Sequence, residues 1–126
     1  MPPVTDPHNV YGAAGANMLS DAATAAKPLV YVPHTKSNDV WVIDPRTFAV
    51  VARYPLGHGE LQHVVPAWDM KTLYASDDRG DQLTPFDPVT GTPGRPIPVT
   101  DPYNLYFTPD GKSAVSVAER LRQLVF

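Results

Sequence analysis

The eight residues Val99-Thr100-Asp101-Pro102-Tyr103-Asn104-Leu105-Tyr106 repeat an earlier stretch, Val4-Thr5-Asp6-Pro7-His8-Asn9-Val10-Tyr11. Six of the eight positions are identical and Val10/Leu105 is conservative, at an offset of 95 residues. Two further pairs occur, the first of them inside that interval. Ile43-Asp44-Pro45-Arg46-Thr47 matches Phe86-Asp87-Pro88-Val89-Thr90 at an offset of 43, and Asp69-Met70-Lys71-Thr72 matches Asp110-Gly111-Lys112-Ser113 at 41. Three independent pairs define a unit of about 41 to 48 residues, traversed roughly 2.5 to 3 times. Chance is a poor explanation for all three.

Inside each unit the apolar period is two. Leu29-Val30-Tyr31-Val32 precedes a polar run from Thr35 to Asp39, then Val40-Trp41-Val42-Ile43 begins, and Val50 to Tyr54 follows an Asp-Pro turn. Short β-branched and aromatic runs broken every eight to twelve residues by turn formers predict an all-β antiparallel fold. Asp44-Pro45 and Asp87-Pro88 each place an Asp at turn position i and a φ-locked proline at i+1. Pro109-Asp110-Gly111-Lys112 is a hairpin turn with glycine where positive φ costs little. Proline excludes the main competitor: 15 of 126 residues would break the helices of a bundle. Proline and glycine together number 23, or 18%, below the roughly 25% at which low-complexity disorder becomes the better description. The length suits one domain.

Four strands in about 40 to 45 residues is the size of one propeller blade. Leu29-Val30-Tyr31-Val32-Pro33, Ser37-Asn38-Asp39-Val40-Trp41-Val42-Ile43-Asp44 and Pro109-Asp110-Gly111-Lys112 resemble the YVTN-type (WD40-like) β-propeller repeat of bacteria and archaea. The resemblance covers almost the whole chain, with two departures. Residues Ala13 to Lys27 form a longer, Ala-rich loop, and Tyr74-Ala75-Ser76-Asp77-Asp78 stands where an apolar strand would continue.

The strand order this resemblance implies gives one partial propeller domain over residues 1–126, with Pro2 to Val4 as the tail of an outer strand. Blade one (8–55, with the Ala-rich loop 13–27) would hold His8–Gly12, Leu29–Pro33, Asp39–Asp44 and Phe48–Tyr54. Blade two (61–99) would hold Gln62–Pro66, Thr72–Ser76, Gln82–Asp87 and Arg95–Val99. The incomplete blade three (103–126) would hold Tyr103–Phe107, Ser113–Ala118 and Arg122–Phe126. Read alone, Val117 to Leu124 is an amphipathic helix of good helix formers; the repeat register predicts strand, turn and strand. Ser20 to Lys27 reads as one or two helical turns capped by Ser20 and ended by Pro28.

A closed ring needs typically four to eight blades. About 2.5 to 3 antiparallel four-stranded blades therefore make an open propeller with unpaired edges and bare apolar faces. The expectation is a fragment of a longer repeat protein; a homo-oligomer whose copies close the ring is the other resolution.

Charge and composition narrow the partners. Ten Lys and Arg against thirteen Asp and Glu leave a net charge of −3, without the basic face that nucleic-acid binding needs. Zero cysteines remove disulfides, thiolate catalysis and Cys-based metal sites. The longest apolar stretch, Val10 to Ala16, is too short and glycine-diluted to span a membrane. No signal peptide follows Met1, so the expectation is a cytosolic protein or a chain lacking the start of its gene. The family resemblance implies a periplasmic or extracellular setting.

Inner strands of a propeller begin at one rim of the central channel, so the binding candidates are Asp6, His8 and Asn9, Gln62 and His63, and Asp101, Tyr103 and Asn104. His8 and His63 are candidate ligands for a divalent metal such as zinc, copper or iron, with a third ligand from elsewhere; otherwise they bond loop backbone at blade junctions. No cofactor is predicted. His34 and His58 read as loop residues, Trp41 as inter-blade core, and Asp77-Asp78-Arg79-Gly80-Asp81 as a hairpin closure, because it lacks the ligand alternation of a calcium loop. No nucleophile, base and carboxylate follow a recognisable spacing, and no glycine-rich phosphate loop is present. Two readings follow: a non-catalytic scaffold binding a protein or small molecule at the rim, or part of a catalytic propeller, lactonase-like or metal-dependent, with channel-facing histidines.

Overall fold

The computed structural model describes residues 6–9, 11–57 and 59–126. The expected outer-strand tail Pro2 to Val4 and the loop residue His58 lie outside them. Three antiparallel sheets follow one another along the chain. The first runs β1 (Val30–His34), β2 (Asp39–Asp44), β3 (Ala49–Pro55); the third runs β9 (Pro102–Phe107), β10 (Ala114–Ala118), β11 (Gln123–Val125). Between them, β4 (Leu61–Pro66), β5 (Leu73–Asp77) and β6 (Gln82–Asp87) carry an outer edge in two pieces, β7 (Thr92–Pro93) and β8 (Ile97–Pro98), both paired to β6. The chain is thus a partial β-propeller.

The turns repeat in three dimensions. Asp44 and Asp87 each accept a hydrogen bond at Oδ1 from the backbone N–H two residues on (Arg46, 2.8 Å; Val89, 2.7 Å). Their carbonyls accept from Phe48 and Gly91, both at 2.8 Å, and both of those residues have positive φ (57° and 79°). Asp69 and Asp110 cap their turns the same way through Lys71 and Lys112, with Met70 and Gly111 at positive φ. Asn38, Asp81 and Arg122 take positive φ at the end of the β1–β2, β5–β6 and β10–β11 turns.

Sheets stack face to face through the alternating side chains. Val40 of the first sheet and Leu61, Ala75 and Phe86 of the second form a fully buried cluster, with Tyr31 and Tyr54 packed edge-on to Phe86 at ring distances of 5.5 and 5.7 Å. Full burial of a side chain such as Phe86 stabilises by about 1.5–3 kcal/mol. Register decides which face is which: Tyr31 pairs with Val42 and Pro33 with Val40, so these four look toward the second sheet.

Four sequence expectations meet a clear answer. The helix-prone run Val117 to Leu124 is strand, turn and strand, because β10 pairs on both sides, with β9 and β11, which an isolated helix could not match. Helix α1 (Asp21–Ala25) forms where expected, the Ser20 hydroxyl accepting from Ala23 N at 3.2 Å, and ends before Pro28. The inner strand His8–Gly12 does not form in the described residues. Asn9 N bonds Asp6 O, Gly12 N bonds Asn9 O and Ala14 N bonds Tyr11 O, so local turns replace a ladder and the first sheet has three strands. The reason is local: Asp6-Pro7 starts a turn, Asp6 Oδ1 also accepts from His8 N, and the Gly/Ala run beyond offers few side chains to hold a strand on β1. The outer strand expected over Arg95–Val99 is likewise interrupted. Pro93, Pro96 and Pro98 have no N–H to donate, and Gly94 N bonds Pro85 O at 2.7 Å across the gap.

Candidate functional site at the turn face

The β1–β2, β5–β6 and β10–β11 turns and the links leading into β4 and β9 gather at one end of the molecule. Leu56 N bonds Asn38 O (3.1 Å) and Val99 N bonds Asp81 O (3.0 Å), the same contact 43 residues apart. Here β4 and β9 both begin with a register shift opposite their neighbours, which lifts Gln62-His63 and Tyr103 out of regular pairing. Ser76, fully buried on β5, ties the two strand starts together. Its hydroxyl accepts from His63 N (3.2 Å) and donates to Tyr103 O (3.1 Å). The His63 and Tyr103 rings meet edge to face at 5.5 Å.

Of the rim candidates, the structure therefore brings His63 and Tyr103 into contact, with Gln62 and Asn104 beside them in sequence and half-buried. Asp6, His8 and Asn9 are exposed and their hydrogen bonds are local. Asp101 is fully buried rather than open at a rim. Among the described residues, no group of three or more His, Cys, Asp or Glu side chains is placed to hold a metal ion.

Asp101 belongs to a network across the boundary between the second and third sheets. Arg120 Nε lies 2.8 Å from Asp101 Oδ1 and 3.4 Å from Asp78 Oδ1, the second distance being ionic range without hydrogen-bond alignment. Its Nη2 donates to Asp78 O (3.0 Å) and to Asp81 Oδ1 (3.1 Å). Leu121 N and Arg120 Nε both donate to the Asp101 carboxylate, and Asp101 N donates to Asp81 Oδ1 at 2.8 Å. Asp78 and Asp101 are hydrogen-bonded to each other. Burial, followed by that bond and the Asp101 charge, raises the Asp78 carboxyl to about 6. Burial would raise Asp101 too, but the Asp78 carboxyl, Arg120 and the Leu121 N–H outweigh it and hold Asp101 below the ordinary range. One proton shared by a close carboxyl pair resolves the repulsion of two like charges.

Sequence reading passed over this network, taking Asp77 to Asp81 as a simple hairpin closure. It is that, with Asp77 Oδ1 accepting from Gly80 N at 3.0 Å, but Asp77 and Asp78 are buried while Arg79 and Asp81 stay exposed. A signal was available. Glu60 and Asp101, and Arg79 and Arg120, are each separated by 41 residues, the offset of the Asp69/Asp110 pair. The structure shows the repeat as an ion pair within each sheet, Arg79 Nε to Glu60 Oε1 at 3.0 Å and Arg120 to Asp101.

On the first sheet, the face away from the second carries Trp41, Arg53, His34 and Asp39. Arg53 lies 4.1 Å over the Trp41 ring and His34 packs edge-on to it at 4.8 Å. Trp41 is half-buried there rather than inter-blade core. The Ser37 hydroxyl and then the Trp41 indole N–H hold the Asp39 carboxyl below its ordinary value. His34 Nδ1 sits 3.1 Å from Asp39 Oδ1, in ionic range but out of hydrogen-bond alignment. Two open grooves lie elsewhere: about 280 Å³ along Lys71, Pro85 and Gly94, and about 390 Å³ along Lys27, Tyr31, Val64 and Pro88. No rim candidate lines either. No helix is long and apolar enough to cross a membrane among the described residues.

Stacked antiparallel sheets joined by repeated turns define the class as β-propeller, and solved structures agree. The chain is similar to hydrazine synthase of Kuenenia stuttgartiensis (TM-score 0.58, 20% identity, 73% of this chain and 26% of that one). It is similar to the dihydro-heme d1 dehydrogenase NirN (0.58, 20%, 72% and 20%) and to a 6-phosphogluconolactonase-like protein of Bacteroides uniformis (0.54, 18%, 75% and 34%). It spans only 20% to 34% of each of these structures. At such identities the likeness is one of fold. No family model and no curated protein matches the chain.

Proposed function

We propose that the chain is a stretch of YVTN-type propeller repeat, part of a larger ring, that serves as a non-catalytic scaffold and binds a ligand at the turn face. One observation supports this reading above others. The acid–base groups in unusual environments, Asp78, Asp101 and Arg120, are committed to one another across a sheet boundary. Gln62, His63, Tyr103 and Asn104 remain: amide, imidazole and phenol groups suited to hydrogen-bonding and stacking a peptide, sugar or small molecule.

Metal loading tests it against a catalytic, metal-dependent propeller. The purified chain, dialysed after exposure to zinc, copper(II) or iron(II), is expected to retain no stoichiometric metal, and His8→Ala and His63→Ala are expected to change nothing in that assay. Stoichiometric metal lost in both variants would favour the catalytic reading. Titration with short peptides and disaccharides, followed by amide chemical shifts, is expected to move residues 61–64 and 101–105 together. Shifts confined to the groove along Lys27 and Tyr31 would move the site away from the rim.

A further inference from the structure

Two boundaries between stacked sheets lie inside the chain, and the repeat register aligns them position by position. Tyr31↔Val42 and Tyr74↔Pro85 are equivalent pairs, as are Asp77↔Gln82 and Ala118↔Gln123. Thr35 in the turn after β1 therefore corresponds to Asp78 in the turn after β5. Leu61 at the start of β4 corresponds to Pro102 at the start of β9, their partners being Asp77 and Ala118.

At the first boundary the contact on the turn face is neutral. Thr35 Oγ1 donates to Leu61 O at 2.9 Å, and the ion pair of Arg79 with Glu60 stays within the second sheet. At the second boundary the same place holds a carboxyl group on each side. Asp78 and Asp101 are 4% and 0% exposed and hydrogen-bonded to each other. One cation serves both, Arg120 Nε lying 2.8 Å from Asp101 and 3.4 Å from Asp78. The other charged groups here do not relieve the pair. Asp81 draws on the same guanidinium at 3.1 Å, Glu60 adds negative charge beside Asp78, and Arg79 is engaged by Glu60. Asp77 accepts from Gly80 N and the Gln82 amide. Two buried carboxyls against one half-exposed guanidinium hold together with a proton between them and repel without it.

Position ties this pair to the rim. Asp78 lies two residues beyond Ser76, and Asp101 two residues before Tyr103. The Ser76 hydroxyl donates to Tyr103 O at 3.1 Å and accepts from His63 N at 3.2 Å, beside the His63–Tyr103 ring contact. Leu121 N donates to the Asp101 carboxylate at 3.0 Å, so the β10–β11 turn is held through the same group.

We propose that the Asp78–Asp101 pair is a proton-operated latch between the second and third sheets: with the proton in place the boundary closes and His63 meets Tyr103, and its loss opens the turn face there. The first boundary, with Thr35 in place of Asp78, is indifferent to pH over the same range. What the latch serves rests on the ligand-binding reading above; its operation is read without a ligand, so the two fail separately. The sign follows from Asp78, raised to about 6 by burial and then by Asp101, above an unfolded value of about 3.9. Closure is therefore favoured at low pH and fades as pH rises through 6. Burial opposes the charge on Asp101, but the Asp78 carboxyl and Arg120 outweigh it, so Asp101 is still charged at pH 5.

Amide hydrogen exchange of the full chain at pH 5 and pH 7.5, corrected for the intrinsic rate, tests this. Protection of the Leu121, Asp101 and His63 amides is expected to fall about tenfold over that interval. Lys27, whose N–H crosses the first boundary to Pro88 O, and Leu56, bonded to Asn38 O, keep theirs. Asp78→Asn, whose amide donates to Asp101 as the protonated carboxyl does, holds the pH 5 protection at both pH values. The nuclear Overhauser contact between the His63 and Tyr103 rings weakens at pH 7.5 in the wild type. It stays constant in Asp78→Asn, which leaves the imidazole's own titration in place. The comparison of the two boundaries in the wild type stands without the variant. Protection at the second boundary that does not change with pH, an equal fall at Lys27 and Leu56, or the wild-type response persisting in Asp78→Asn would each overturn the latch.

Discussion

Asp78 and Asp101 show how far a single side chain's behaviour depends on its place. By sequence each is one of many turn aspartates; in the fold both are buried against the half-exposed Arg120. The consequence for stability has a definite sign. Asp78 is raised to about 6, above its unfolded value of about 3.9. The folded state therefore binds a proton between those limits that the unfolded state does not, and stability falls as pH rises through that window. Asp101 is lowered, so its contribution is present above the unfolded pKa and is lost as pH falls below about 4. Relative to Asp78→Asn, the wild-type melting temperature is expected to drop by several degrees between pH 4.5 and 7.5. Equal slopes for the two proteins in thermal melts would show that the pair does not share a proton.

At the scale of strands and turns, the chain repeats a design in which Phe48 and Met70 stand where the equivalent turns have glycine. Gly91 closes its Asp-Pro turn with positive φ at no steric cost, whereas Phe48 closes the equivalent turn at φ 57° while 83% exposed. A left-handed non-glycine residue is strained and Phe48 gains little from burial, so Phe48→Gly is expected to stabilise by about 0.5–1 kcal/mol, read from denaturant unfolding. The reverse holds at Gly111, where a Cβ would collide with the Trp68 ring. Most strands were legible: β2 and β6 fall on the expected residues, and the others that formed lie within a few residues of theirs. The two failures have named causes. The Gly/Ala run after Tyr11 offers few side chains to hold the first inner strand, whereas the same Asp-Pro at 101–102 leads into β9, and three prolines split an outer one. The site was less legible, because His63 meets Tyr103 only through a bulge at each strand start and a buried Ser76 between them.

For the molecule as a whole, coverage is uneven and so is the expected stability. The second sheet is packed on both sides; the first and third are each covered on one. Amide hydrogen exchange is expected to be slowest in β5 and β6, faster in β1 and β10, and fastest in α1 and β11, whose residues are mostly or wholly exposed. Uniform protection across the three sheets in the monomer would contradict this gradient. By itself, the sequence determined the repeat, its all-β character and the turn chemistry, because alternation, Asp-Pro pairs and glycine act over a few neighbouring residues. Only the tertiary structure decided which carboxylates are buried side by side and which rings touch. Those depend on groups about 20 to 40 residues apart in sequence being pressed together by stacking sheets, and no local pattern encodes the dielectric or the partner found there.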